Sequence, residues 1–436
     1  MKKIAILLLL ICFVVTAACV RILVTDNSAR LDDNSDSVSD KNDNNAGDIS
    51  IDDNNEVKDP AGDDIGNTDT ETPDNNTDAG DQGAQDPDDT EEPKNKIVKI
   101  VAAGDNLLHN TISFDAKQED GTYDFSSIYT RIAPITSAAD ISFINQEIML
   151  TGKISGYPRM EAPAEVADAL IGAGFNVINL ATNHTLDKGE DGLAACLKNV
   201  KERDFEAVLG SYETEEESKT PILLEKNGVT FGFLSYTYDM NGYTLSEGNE
   251  WKVDLINMSK MKQDVRNIRP LCDYLIVSMH WGTEYMTTPS DDQRNLAQLL
   301  CDNGADLIIG THPHVLQPLE TITSTNGERQ TVCAWSLGNF ISNQHKLSTM
   351  LGGMLQVELE FDEDNNPVGI RANIIPTVTQ YDDDAKNYEI YLLSEYTEDL
   401  AAVHGIRLHA SEPLSLAFLN ELAQSVLGDS IADEIY

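Results

Sequence analysis

The chain has 436 residues, and 74 Asp and Glu against 30 Lys and Arg give it a formal net charge of −44 at pH 7. An acidic balance of that size excludes nucleic acid and anionic membrane surfaces as partners held by long-range attraction. The 6 cysteines show no metal-ligand or CxxC spacing, so neither a thiolate metal site nor a dithiol redox motif is expected.

Lys2 and Lys3 open a short positive region, and Ile4 to Val15 is apolar. That run is too short for a comfortable membrane span of about 20 residues. Thr16-Ala17-Ala18-Cys19 closes it with small residues before a cysteine. Residues 1–19 therefore read as a signal segment to be left out of the fold. Between Val20 and Pro93 there is no aromatic residue, and the charge is 4 − 23 = −19. Such a segment cannot bury enough apolar surface to offset its ordering entropy. Residues 20–95 are expected to be a disordered acidic linker, whose ends lie about 45 Å apart as a coil.

From Lys96 on, short apolar runs alternate with helix-period segments. "KIVKIVAAGD" reads as a strand ending at Asp105, and "ADISFINQEI" as one ending near Asn145 and Glu147. "GFNVINLATNH" ends at Asn183 and His184, "CDYLIVSMHW" at His280, and "ADLIIGTHPH" at His312 and His314. Between them, Val166, Ala169, Leu170 and Ala173 share a helix face, as do Leu193, Cys196, Leu197 and Val200. Ser290 and Gln293 form a capping box, and Gly304 ends that helix. "GGMLQVELEF" and "VGIRANIIPTV" are expected to pair as antiparallel strands. Residues from about Tyr388 are expected to be helical and peripheral. Strands alternating with helices argue for an α/β layered fold.

Each polar residue of interest falls where an apolar strand runs out into a loop, the edge at which α/β sheets bind ligands. Four of the 8 histidines lie at such ends. Singly, each has a plain structural reading: Asp105 as a turn residue, Asn183 as a cap, His280 as a hydrogen-bonded core residue. Together, His, Asn and carboxylate are the ligand set of hard-to-borderline divalent metals. In extended backbone, residues i and i+2 face one side, and Pro313 restricts His312 towards extended geometry. His312 and His314 could then aim at one point, the alternative being two polar residues in a surface turn.

"AAGDNLLHN", "INQEIML", "LATNHTLDKGEDGL", "MHWGTEY", "IGTHPHVLQPLE" and "WSLGNFISNQ" resemble, in order, the motifs of the CapA family, the poly-γ-glutamate capsule synthesis proteins. The small-residue run ending in Cys19 resembles the lipobox of bacterial lipoproteins. The CapA resemblance covers roughly residues 97 to 344. It implies a variant of the calcineurin-like metallophosphoesterase fold, a four-layer α/β/β/α sandwich over 96–385; residues 386–436 lie outside it and are read as a helical extension. Those enzymes use an Asp-x-His, a bridging Asp, an Asn-His pair, a lone His and a His-x-His. The resemblance assigns Asp105, Glu147, Asn183, His280, His312 and His314 to metal, one or two divalent ions of Mn, Zn or Fe. It assigns His184 to proton delivery at the leaving group. Asp187 either orients His184 or caps the next helix. Arg159 and Asn339, in motif loops, are candidates for substrate contact, with a salt bridge and a turn as their structural readings. One departure stands out: Leu107 occupies the position where the first motif carries His, unless His109 takes its place.

The resemblance implies a metal-dependent hydrolase, phosphoesterase-like or amide-cleaving, acting in capsule or poly-γ-glutamate synthesis or export. The rival reading is a non-catalytic assembly factor whose metal site grips polymer carboxylates. The expected partners are an anionic cell-envelope polymer, a capsule synthesis complex and the membrane, through lipid on Cys19 at the outer face of the cytoplasmic membrane. Replacing Cys19 by Ala should release the protein from the membrane fraction or leave it unprocessed; an unchanged membrane fraction after detergent-free washing would count against the anchor.

Overall fold

The computed structural model describes residues 95–435; Cys19 and the acidic linker lie outside them. Two sheets face each other. The first contains β1 (Lys96–Asn106), β2 (Ile141–Gln146), β3 (Val177–Asn179) and β4 (Ala207–Leu209), all parallel. The second is built on β5 (Ile222–Lys226), β6 (Val229–Thr237), β7 (Tyr274–His280), β8 (Leu307–Thr311), β9 (Leu319–Thr323) and β10 (Gln330–Ala334), in the order β5-β6-β7-β8-β10-β9. Back in the first sheet, β11 (Asn339–Ile341) runs parallel to β1. Antiparallel β12 (Leu351–Phe361) and β13 (Pro367–Gln380) extend it past β1, as the strand pair read from the sequence.

The layering follows from the period-2 pattern of buried strands. On β7, Tyr274 and Ile276 join the larger core between the sheets, while Leu275, Val277 and Met279 join a second core on the other face. Phe361 of the first sheet meets Phe231 and Tyr274 of the second with ring centroids 6.1 Å apart. Among helices of eight residues or more, α1 (Glu165–Gly172) and α2 (Gly189–Lys201) join the larger core through Val166, Leu170, Leu193 and Leu197. The outer face of the second sheet is covered by α3 (Met258–Ile268) and α4 (Asp291–Asn303), through Met261, Val265, Ala297 and Leu300. The capping box of Ser290 and Gln293 starts α4, and Gly304 ends it. Helix, sheet, sheet, helix is the expected mixed α/β sandwich.

The C-terminal segment differs from expectation. It opens with a strand, β14 (Glu389–Leu392), that pairs with β13, and only later forms α5 (Leu416–Leu427). Nor is it peripheral: Tyr388, Ile390, Ile406 and Leu419 are buried in the larger core. Burial alternates along β14, but its sequence, Glu-Ile-Tyr-Leu, puts three apolar residues in a row, so no polar–apolar period was there to read.

Within the first sheet, β1 and β11 meet tightly where β1 ends. Asp105 donates its backbone N–H to Gly338 O at 2.9 Å. A Cβ at Gly104 would lie 2.1 Å from Gly338 O, a clash with backbone that no side chain can relieve. Gly104→Ala should cost about 1–3 kcal/mol or more, measured as a lowered denaturant midpoint; an unchanged midpoint would mean β1 and the segment leading into β11 can part there.

Candidate metal centre

The strands that carry candidate residues run parallel to one another within each sheet, and their carboxyl ends collect on one edge. Asp105 ends β1, Glu147 follows β2, and Asn183 and His184 lie in the loop after β3. His280 ends β7, while His312 and His314 follow β8. Every one of these residues is buried.

The side chains form two groups. Glu147, His280 and His312 bring ligand atoms within 4.8 Å of one another, and so do Asp105, Glu147 and His314. Glu147 belongs to both. Asn183 joins the first group, its Oδ1 lying 3.0 Å from His280 Nε2. The two histidines that flank Pro313 therefore serve different groups, on either side of Glu147. The backbone explains this, and it corrects the expected extended geometry. His312 has φ +94° and His314 φ +60°, a left-handed conformation that costs a non-glycine residue roughly 1–2 kcal/mol. The turn is held by His312 N–H 3.3 Å from both carboxylate oxygens of Asp105, and by Tyr285 N–H donating to Pro313 O at 2.7 Å.

A second layer of hydrogen bonds aims the ligands. Asn145 Nδ2 donates to Asp105 Oδ1 at 2.8 Å, and Asn179 Nδ2 to Asn145 Oδ1 at 2.7 Å. This ladder crosses three strands in register. His280 Nδ1 lies 3.0 Å from Thr311 Oγ1, which leaves Nε2 facing the group. His314 Nδ1 lies 3.0 Å from Asp105 Oδ2 and 3.1 Å from Asn339 Oδ1, with Nε2 3.6 Å from Glu147 Oε1. Such partners fix tautomer and ring orientation in metal-ligating histidines. Asn339 is accordingly placed behind His314: it is 1 % exposed, and its amide is spent on Ser342, Gln344 and Thr349. Asn179, Thr311 and Gln344 are supports that the sequence reading did not single out. A polar Asn179 inside the apolar strand "VIN" was the available signal.

His184 Nδ1 lies 2.8 Å from Asp187 Oδ2. Asp187 Oδ2 also accepts Met160 N–H at 2.7 Å, and helix α2 is capped at Lys188 with no side-chain cap bond. Of its two readings, Asp187 thus takes the orienting one. Arg159 is exposed and donates Nε–H to Asp187 O at 2.7 Å. Asn241, another residue the sequence did not flag, accepts from Asn183 Nδ2 at 3.0 Å and sits beside His184. Leu107 is packed in the core. His109 does not replace the missing histidine: its Nδ1 accepts Asn343 N–H at 3.2 Å, and it belongs to neither group.

The fit to divalent metal rests on Glu147. Its side chain is fully buried, and neither carboxylate oxygen has a hydrogen-bond partner; His312 Nδ1 is unpartnered too. A buried, unpaired carboxylate is costly, and a cation between it and the imidazoles removes that cost. Burial, followed by the charge of Asp105, holds the Glu147 carboxyl well above its usual range, against the pull of His314. Burial and then neighbouring histidines push His280 far down, and His312 down to about 3. Burial opposes charge on His314, but Glu147 and Asp105 prevail and raise it to about 9.

Residues 99–344 match the family model described as bacterial capsule synthesis protein PGA_cap. The chain belongs to this family. Within it, the chain is 30% identical over 280 residues to the PGA biosynthesis protein CapA of Bacillus subtilis, covering 61% of this chain and 68% of that one. It is 32% identical over 281 residues to the capsule biosynthesis protein CapA of Bacillus anthracis, covering 61% and 65%. Among solved structures, a putative 5'-nucleotidase from Staphylococcus aureus aligns with TM-score 0.43 and 13% identity, covering 65% of this chain and 55% of that one. A 5'-nucleotidase precursor from Thermus thermophilus aligns with TM-score 0.41 and 13% identity, covering 76% and 58%. All the metal-site candidates of this chain lie inside the segment that matches the PGA_cap family.

Without metal, His314 is raised to about 9 and the Glu147 carboxyl is held above its usual range. A cation needs both deprotonated. Its affinity should therefore rise with pH up to about 9, and binding at neutral pH should release protons. Titration calorimetry in buffers of different ionisation enthalpy measures this, and proton-independent binding would refute the assignment of these two ligands.

Proposed function

We propose that this protein acts in capsule or poly-γ-glutamate synthesis or export, at the outer face of the cytoplasmic membrane, through a divalent-metal site of hydrolase type. The observation that carries this reading is Glu147, buried and unpartnered between two sets of ligands. Membership of the PGA_cap family and the names of its relatives support the polymer as the site's object. Glu147, Asn183, His280 and His312 would hold one ion, of Mn, Zn or Fe; Asp105, Glu147 and His314 would hold the other. Bound there, the ions would polarise the scissile group and bring the pKa of a water towards neutrality.

The chain's own residues supply the rest. Asp187 Oδ2 accepts the proton on His184 Nδ1, which leaves Nε2 as the nitrogen that delivers a proton to the departing atom. His184 is 7 % exposed and close enough to His280 and His312 to lower their basicity, so it stands at the centre itself. Asn241 and the Met160 N–H hold the dyad from behind. Burial of the whole edge keeps bulk water from the ligands.

A second reading rests on Leu107. With one histidine missing from the first motif, the Asp105 group has three donors, and the centre could grip polymer carboxylates without cleaving them. The dyad favours chemistry, since a carboxylate binder needs no general acid. His184→Ala should leave metal content intact and reduce hydrolysis by ~10²–10⁴, whereas His312→Ala or His314→Ala should lower metal content. Phosphoesters and γ-glutamyl polymers with added Mn²⁺ or Zn²⁺ are the substrates to screen. Capsule production that survives His184→Ala but not His312→Ala would replace the hydrolase by the assembly factor.

A further inference from the structure

Most Lys and Arg side chains among the described residues pair with a carboxylate. Lys188 pairs with Glu161, Lys252 with Glu190, Arg203 with Asp168, and Arg269 with Asp306. Two cations beside the metal centre are treated differently. Among the described residues neither Arg159 nor Lys346 has a carboxylate partner; each lies over a tyrosine ring instead. Arg159 Cζ is 5.3 Å from the centroid of Tyr243, and Lys346 Nζ is 3.6 Å from that of Tyr285. A ring steadies a cation without cancelling its charge, so both remain available to an incoming anion.

Each is also tied to one end of the centre. Arg159 bonds the backbone of Asp187, whose carboxylate holds His184; Asn241 links that dyad to Asn183. Lys346 sits on Tyr285, whose ring is 6.2 Å from that of His314 and whose hydroxyl accepts from Gln344 Nε2 at 3.4 Å. Gln344 in turn accepts from Asn339, the support of His314. Tyr285 has φ +67°, a conformation rarely adopted by a bulky residue, and its N–H is fixed on Pro313 O. The platform under Lys346 is therefore built into the turn that carries both histidines.

The geometry points to Arg159 and Lys346 as a pair of anion-binding side chains, one for each end of the metal centre, that select a chain bearing carboxylates on both sides of the bond held there. Lys346 has no role in the metal groups or in the His184 dyad. The net charge of −44 repels an anionic polymer at a distance, and salt screens that field beyond about 8 Å. Attraction has to be local, and two unneutralised cations at the centre provide it. A monoanion would use one of them; a γ-glutamyl polymer, with a carboxylate on every residue, uses both. This inference rests on the capsule-polymer reading above, not on hydrolysis.

The test is binding by the full chain loaded with Mn²⁺, followed by fluorescence anisotropy of a labelled γ-glutamyl oligomer and of the same oligomer with its α-carboxylates amidated. The acidic oligomer should bind more tightly. Lys346→Gln and Arg159→Gln should each weaken it about tenfold, and the double variant about a hundredfold. Metal content should be unchanged, and Lys346→Arg should retain affinity. Lys117→Gln, which removes one exposed charge elsewhere, should have no effect. Equal affinity for the two oligomers, an equal loss in Lys117→Gln, or loss of metal from Lys346→Gln overturns the pair. Binding of neither oligomer overturns the capsule-polymer reading itself, and binding without cleavage overturns only the hydrolase.

Discussion

Asp105 is a carboxylate with no exposed surface, and the arrangement of the whole centre depends on satisfying it. A buried charge is tolerated only when it is paired and hydrogen-bonded. Its partners come from both sheets: Asn145 from the neighbouring strand, and the His312 N–H and His314 ring from the turn after β8. The Gly104–Gly338 approach seats β11 beside β1, with Asn339 behind His314, where these bonds form. Once they form, His312 and His314 can no longer lie along an extended strand. The left-handed turn at the two histidines is thus the consequence of a carboxylate on the opposite sheet.

That dependence marks the limit of what could be read from the sequence. The residues that gather at the centre were legible, because each sits where an apolar run stops, and His, Asn and carboxylate recurring at five such stops is hard to explain by turns alone. The layer order was legible from the same runs. The turn at Pro313 was not, since the local rule for residues before proline points to extended backbone and a tertiary bond overrides it. The Asn145–Asn179 ladder depends on the register of three strands, which no single segment encodes. Asp187 shows the intermediate case. Its two roles were both compatible with its place before Gly189, and the choice between them was made by Met160 N–H and His184, one of them 27 residues away.

Electrostatics and geometry agree on what the centre lacks when it holds only protein atoms. Burial disfavours charge on Glu147, His280 and His312. His314 resists, because Glu147 and Asp105 surround it. Protons would have to stand there in place of a cation. Glu147 is the residue for which this substitution is least adequate, since a proton can satisfy one of its oxygens and leaves the other unpartnered. A shared position between two ligand sets is what uses both oxygens at once.

The two sets are not equivalent. One offers four donors, namely Glu147, Asn183, His280 and His312; the other offers Asp105, Glu147 and His314, and Leu107, at the place of the first motif's histidine, is packed in the core. Four protein ligands are the count of a closed divalent site, and three leave a coordination position open. The fuller set also carries the more thoroughly neutral imidazoles, which need lose no proton to bind, whereas the other must first deprotonate His314. Ligand count and proton cost therefore act in the same direction. The Asn183 end would therefore anchor the centre, and the His314 end, near Tyr285, would be the one left open to an exogenous oxygen donor.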